Sequence, residues 1–191
     1  KQLIGILDAA DPEKPWGFKD PRTTRLFPLW HELLSELGVP AKVVVCLRNP
    51  EEVAASLEKR NAFDINYGKL LWLRHYTELF QYRLTKNWLV LNYEDWFDGS
   101  FSNIFKLTDY LGLTVFLSED QLRGIFSDTV TQCLQHNKYP IQYDYCANIY
   151  CKLIESGHNV ARNEELYTIF SNLEFLNKHY TEIYTNNFFY I

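Results

Sequence analysis

The sequence predicts an α/β domain: a parallel sheet flanked by helices, with a helical, aromatic-rich region behind it. Two short apolar runs, Lys42–Leu47 and Trp88–Tyr93, are β-branched or aliphatic without alternation, the pattern of strands covered on both faces. Segments of helical periodicity follow each run, and the order strand, helix, strand, helix calls for parallel pairing with right-handed crossovers. The 191 residues suit one domain, 1–191, with its core over 16–115 and the helical region over 116–191.

Taken in order, residues 1–15 form an unpatterned lead-in that ends in Asp11-Pro12-Glu13-Lys14-Pro15, where two prolines favour a loop. Trp16–Lys19 reads as short and extended. Leu26, Leu29, Trp30, Leu33, Leu34 and Leu37 share one helical face, with Gly38 as the stop; Pro28 fits only a first turn, so the helix is expected from about Phe27. The first apolar run contains Cys46, read as a buried thiol. After it, Asn49 is a natural N-cap, Pro50 a first helical residue, and Glu52 completes a capping box. A long helix is expected over Tyr67–Leu84, then the second strand, a helix near Phe101–Leu111 halted by Gly112, and helical periodicity from Glu119 and over Glu164–Tyr184. With only two strong strands visible, further sheet is expected upstream. The chain has no methionine and begins at Lys1, so it reads as a fragment, a trimmed chain or a sequence that has lost residues.

Composition narrows the function classes. Hydrophobic residues make up 47% and charged residues 23%, which is globular rather than disordered. Aromatic residues reach 16%; the aromatic-rich tail is compatible with a lid, a pocket wall or the face of a homo-oligomer. A formal charge of −5 disfavours nucleic acid as a partner while allowing a local basic pocket. No apolar run approaches the roughly 20 residues of a membrane span, and no signal-peptide layout is present. Four cysteines without zinc-site spacing point to no metal and to a reducing, cytoplasmic setting. Walker, GxGxxG, HExxH and GxSxG motifs are all absent, which argues against a nucleotide kinase or a dinucleotide enzyme.

Three constellations remain. Arg48 falls at the carboxyl end of the first strand, where open α/β sheets bind ligands, and Ser56 follows eight positions later in the next helix. Eight helical steps return to within about 80° of the start, so both can face one side, with Arg60 a turn further on and Val53 and Leu57 turned toward the sheet. A guanidinium fork with a hydroxyl suits a phosphate. The competing reading pairs Arg48 with Glu51 or Glu52, and spacing alone places it slightly ahead, since those carboxylates oppose an anion. Lys19 in Lys19-Asp20-Pro21-Arg22 is either a charge stabiliser near a ligand or part of a solvated turn in which Asp20 caps and Pro21 starts a helix. Tyr93, in Asn92-Tyr93-Glu94-Asp95-Trp96, is a platform for a base or an amphipathic strand-end residue; the acids beside it can hold a helix or a basic side chain.

VVVCLRNPEEVAASLEKR resembles the 3′-phosphate-binding segment of sulfotransferases that use 3′-phosphoadenylyl sulfate (PAPS), with its Arg and, eight residues on, its Ser. WLVLNYEDWFDGSFSNIFKLTDYLGL resembles that family's later strand and the helix after it. WGFKDPRTTRLFPLW is similar to the Lys-Asp-Pro segment of tyrosylprotein-type and bacterial members. The three occur in the family's order, between Trp16 and Leu113. The resemblance implies a P-loop NTPase-like sulfotransferase fold, N-terminally truncated. It implies that Arg48 and Ser56 grip the 3′-phosphate of PAPS or of adenosine 3′,5′-bisphosphate, that Lys19 stabilises the bridging oxygen or the sulfuryl group, and that Tyr93 lies near the adenine. LQHNKYP around His136 resembles a Leu-Arg-His segment of bacterial members, with Gln135 in the Arg position. The family's Gly/Ser/Thr-rich 5′-phosphosulfate loop precedes the Lys segment; residues 1–15 hold only Gly5 and no Ser or Thr. His31, His75, His158 and His179 receive no role. The implied activity is transfer of a sulfuryl group from PAPS to a hydroxyl or amine on a small molecule, glycan or peptide. The alternative is a truncated or non-catalytic module of the same fold that binds the 3′-phosphate nucleotide only.

Overall fold

The computed structural model describes residues 16–80, 88–113, 117–129, 144–157 and 163–173. The expectations for residues 1–15, for 81–84 of the long helix, for Cys133 and the His136 segment, for His158 and His179, and for the helix beyond 173 lie outside the described residues. The elements run α1 (Thr23–Glu36), β1 (Val43–Leu47), α2 (Pro50–Asn61), α3 (Ile65–Phe80), β2 (Trp88–Asn92), a 3₁₀ turn (Glu94–Trp96), α4 (Ser102–Leu111), α5 (Glu119–Thr129) and α6 (Tyr145–Ser156), and residues 164–173 are also helical. The architecture is mixed α/β and mostly helical, around a two-stranded parallel sheet. No helix among the described residues is long and apolar enough to cross a membrane.

β1 and β2 pair in parallel with Val43 opposite Trp88 and Leu47 opposite Asn92. Val45, Leu47, Trp88 and Val90 point into one core with Trp72, Leu79 and Phe80 of α3, Ile149, Tyr150 and Leu153 of α6, and Leu166 and Phe170. On the second face α4 packs along β2, and Leu89 and Leu91 are fully buried. The two-sided burial expected for β1 is not found: Val44 and Cys46, its alternate residues, are exposed. An apolar run identifies a strand but not how many of its faces find a neighbour. At the outer edge, the Tyr76 hydroxyl donates to the Cys46 carbonyl at 3.0 Å.

α1 begins at Thr23 rather than near Phe27, and Pro28 lies inside it. Asp20 sets the earlier start: its carboxylate accepts the Arg22 N–H at 2.8 Å and its carbonyl the Thr23 N–H at 2.9 Å. Pro28 then removes one internal hydrogen bond, that to the Thr24 carbonyl, and the helix runs through. The buried residue of α1 is Phe27, set edge-on to Trp88 at 5.5 Å, while Leu26 and Leu29 of the expected face stay exposed. α2 opens as its sequence requires, with Pro50 first and the Asn49 side chain accepting the Glu51 N–H at 2.9 Å. The capping box does not form. Glu52 turns to Arg48, and the Asn49 N–H meets Glu94 Oε1 at 3.4 Å. α4 ends at Gly112, left-handed at φ 73°, with the Leu113 N–H closing back on the Thr108 carbonyl.

Two features lock α2 in place. Gly68 of α3 lies so close to α2 that an added Cβ would stand 2.8 Å from the Ala54 Cα. Lys69, next to it, is buried and pairs with Glu51 of α2 and, at 2.8 Å, with Asp144, which also caps α6 by accepting the Ala147 N–H. Burial opposes the Lys69 charge, but hydrogen bonds to Asp144 and Glu51 prevail and raise its pKa above 10.5. Burial likewise opposes the Asp144 charge, and the bond from Lys69 with the α6 amides lowers its pKa below 3.8.

Gly68→Ala is expected to destabilise the fold. The helix-propensity gain of about 1 kcal/mol is smaller than overpacking of roughly 1–3 kcal/mol against backbone; urea unfolding checks this, and a net gain would show that α2 and α3 can separate freely. Lys69→Met leaves Glu51 buried without its cation and is expected to lose about 3–5 kcal/mol. The pH dependence has a definite sign. Asp144 contributes above its unfolded pKa and loses that contribution as pH falls through its lowered folded value, whereas Lys69 contributes below 10.5 and loses it as pH rises through its raised one. The stability gap between wild type and Asp144→Asn should therefore close below about pH 4; a gap that persists in strong acid would contradict the pairing.

Candidate functional site

The carboxyl ends of the two strands lie side by side. The Tyr93 N–H donates to the Leu47 carbonyl at 2.7 Å, which extends the register one step past the sheet. Arg48 and Tyr93, the first residues beyond β1 and β2, therefore stand abreast at about the 4.8 Å strand spacing. The Arg48 guanidinium carbon sits 4.6 Å from the Tyr93 ring centroid, and the ring also meets Phe97 at 5.1 Å. Trp72 of α3 fixes the Arg48 backbone from the other side, its indole N–H donating to the Arg48 carbonyl at 2.9 Å.

The acid pairing weighed against phosphate binding is present, but in part. Arg48 Nε donates to Glu52 Oε2 at 3.1 Å, with the Arg48 side chain 22% exposed and that of Glu52 8%. Arg48 Nη2 is buried and has no hydrogen-bond partner among the described residues. A guanidinium carries five donors in a planar fork, and a buried charged donor left unpaired is unfavourable by about 1–3 kcal/mol or more. Such an atom calls for an acceptor, and Trp88 Nε1 within the core is likewise buried and unpaired among the described residues, so the feature is not special to this site.

Arg48 lies before the N-cap of α2, Asn49, which is non-helical at φ −50° and ψ 125°, so the count of eight helical steps from Arg48 to Ser56 does not apply. Ser56 is half-buried on α2, one turn beyond Glu52, the carboxylate that holds Arg48. Val53 packs against the core as expected. Arg60 is exposed and donates to Asn61 at 2.8 Å, so it is turned to its own helix end.

Lys19 is exposed, just before the Asp20 turn. The Asp20 carboxyl, hydrogen-bonded by the Arg22 side chain and backbone, is held down at about 2. The Lys19 charge reaches the Cys46 thiol: desolvation raises the Cys46 pKa, and Lys19 partly offsets the rise. The structure thus brings Glu52 and Tyr93 into direct contact with Arg48 and sets Ser56 on the helix that follows; it shows no contact that joins Ser56 or Lys19 to this group among the described residues.

A second layer supports the strand ends: the acids after Tyr93 hold neighbouring elements, as their position in the sequence allowed, while Tyr150 was not singled out. The Tyr150 hydroxyl of α6 reaches Asn92 Oδ1 at 3.0 Å and Glu94 Oε2 at 3.1 Å, its one proton shared between them. Burial, then the Glu94 charge, pushes the Tyr150 pKa well above the ordinary phenol value. Asn92 Nδ2 donates to Asp95 at 2.8 Å, and Asn103 Nδ2 donates to the Asn92 carbonyl at 2.8 Å. Glu94 thus ties β2 to both α6 and the start of α2. Tyr150 and Trp72 occupy ordinary apolar helix positions, so periodicity reads them as core, and only their polar ends reach the site. His75 Nδ1 lies 2.8 Å from the Leu71 carbonyl within α3, and His31 lies beside the Phe27 ring. No group of three or more metal-ligating side chains occurs among the described residues.

Comparison with protein-family models, with curated proteins and with solved structures finds no match to this chain.

Proposed function

We propose that the carboxyl end of the β1–β2 pair binds the 3′-phosphate of an adenosine 3′,5′-bisphosphate nucleotide, and that the chain is a sulfotransferase using PAPS as donor. The observation that carries this reading is the Nη2 of Arg48, buried and without a hydrogen-bond partner among the described residues, at the carboxyl end of a parallel strand. The Glu52 contact is compatible with it. Glu52 engages Nε and leaves Nη2 to another acceptor; because Nη2 is buried, a phosphate would reach it only as the side chains around it move aside. Ser56 supplies a neutral hydroxyl a turn further along, and Asn49-Pro50 fixes where α2 starts relative to Arg48.

The donor supplies a sulfuryl group on a 5′-phosphate leaving group. The acceptor oxygen or nitrogen bonds to sulfur as the sulfur–oxygen bond to the 5′-phosphate breaks. Sulfated acceptor and adenosine 3′,5′-bisphosphate result, and the acceptor proton is released. Within this reading Arg48 and Ser56 bind and orient, and Lys19 offers an ammonium to the charge that builds on the bridging oxygen. Nothing in this chemistry requires a metal. The acceptor is a hydroxyl or amine on a small molecule, glycan or peptide.

Titration calorimetry with adenosine 3′,5′-bisphosphate is expected to show binding weakened about 10- to 150-fold by Arg48→Ala and about 2- to 10-fold by Ser56→Ala, the range for charged and neutral hydrogen bonds. A change under roughly fivefold for Arg48→Ala would reject the phosphate grip. In a radiolabelled sulfate-transfer assay over a panel of acceptors, Lys19→Ala is expected to lower the rate about 10²- to 10³-fold with bisphosphate affinity retained. Bound nucleotide without sulfate incorporation by wild type would favour the binding module over the enzyme.

A further inference from the structure

Resting on the nucleotide reading above, we infer that Tyr93 is a positioning residue for the 3′-phosphate, acting through Arg48, and not a platform for the adenine base. The register places the two residues abreast past the paired strand ends, and the Tyr93 N–H bond to the Leu47 carbonyl pins that arrangement. The Arg48 guanidinium lies 4.6 Å from the Tyr93 ring centroid. That is within the distance at which an aromatic face attracts a cation. Nε is meanwhile held by Glu52, and the Arg48 carbonyl by Trp72.

These restraints act on different parts of one residue. Trp72 sets the backbone, Glu52 sets one edge of the fork, and the Tyr93 ring sets the plane in which the fork lies. Rotation about the last bonds of the side chain is therefore restricted, and Nη2 stays buried and pointed at a fixed place. An arginine side chain in water gives up considerable rotamer freedom when it grips a phosphate; one already clamped has less to lose on binding. A ring engaged with a guanidinium on one side and with Phe97 at 5.1 Å serves the phosphate's partner rather than the base. The restraint comes from the ring face, which phenylalanine keeps, so Tyr93→Phe should preserve it.

The two roles separate in a ligand comparison. Adenosine 3′,5′-bisphosphate and adenosine 5′-monophosphate share the base and differ in the 3′-phosphate. Calorimetry on the full chain is expected to show wild type and Tyr93→Phe preferring the bisphosphate. Tyr93→Leu should weaken the bisphosphate roughly 2- to 30-fold, the range of a partly desolvated cation–π contact, and leave the monophosphate within about twofold. In an Arg48→Ala background, Tyr93→Leu should add nothing further, because the two act as one unit. Equal weakening of both ligands, or additive effects in the double variant, would overturn the inference in favour of base stacking; no change in either ligand would overturn it outright. If Tyr93→Leu fails to fold by circular dichroism, Tyr93→Trp serves instead. It should change only bisphosphate affinity, and an equal change for the monophosphate counts against the inference. A wild-type chain with no preference for the bisphosphate would remove the nucleotide reading and this inference together, whereas a preferring wild type with equal losses in the variants removes the inference alone.

Discussion

The parallel pairing that sets Leu47 opposite Asn92 is the constraint on which the site depends. Because the ladder continues to the Tyr93 amide, the chain leaves both strands at the same level, and the residues just beyond them meet. Arg48 could not stand over Tyr93 if the register slipped by a single residue, since every side chain past the slip would turn to the opposite face. The local turn chemistry supports the same geometry. Asn49 and Pro50 start α2 immediately, so Glu52 comes round one turn later to take Arg48 Nε.

Electrostatically, the site holds acids on several sides of one cation. Glu52 touches Arg48, Glu94 holds the Asn49 amide, and Glu51 is drawn away from the strand end by Lys69. That diversion has a consequence for an anion. A free Glu51 carboxylate in the first turn of α2 would repel a phosphate placed there, whereas the ion pair with Lys69 and Asp144 gives it a cation of its own. Of the three acids, only Glu52 bears directly on the guanidinium, and it does so through one of the five donors. One guanidinium nitrogen, Nη2, stays buried and without a hydrogen-bond partner among the described residues.

Local features were legible in the sequence, and competition across the fold was not. Asn49-Pro50 and the Gly112 stop depend on a few consecutive residues, and both appear where the sequence places them. The parallel pairing followed from the order of strands and helices. The capping box gave way to contacts across the fold: the Glu52 carboxylate meets Arg48, and the Asn49 backbone N–H meets Glu94. Cys46 was read as buried from the apolar run around it, yet β1 is covered on one face at that position. The leucine stripe of α1 gave way to Phe27 because Trp88 offers an aromatic edge at that spot. Lys69 looks like a solvent-facing helix residue until Asp144, 75 positions away, is brought to it. For the site, spacing alone placed the pairing of Arg48 with Glu51 or Glu52 slightly ahead, and the pair with Glu52 is present. What spacing could not show is that Glu52 takes one donor and leaves another, or that Tyr93 meets a guanidinium.

The most direct test of the central claim is a phosphorus-31 NMR titration of adenosine 3′,5′-bisphosphate with the chain. Its two phosphorus signals report the two ends of the ligand separately. If Arg48 and Ser56 form the grip, the 3′-phosphorus resonance shifts or broadens as protein is added, and Arg48→Ala abolishes that response. Movement of the 5′-phosphorus alone, no movement of either, or a 3′ response that persists in Arg48→Ala would contradict the account.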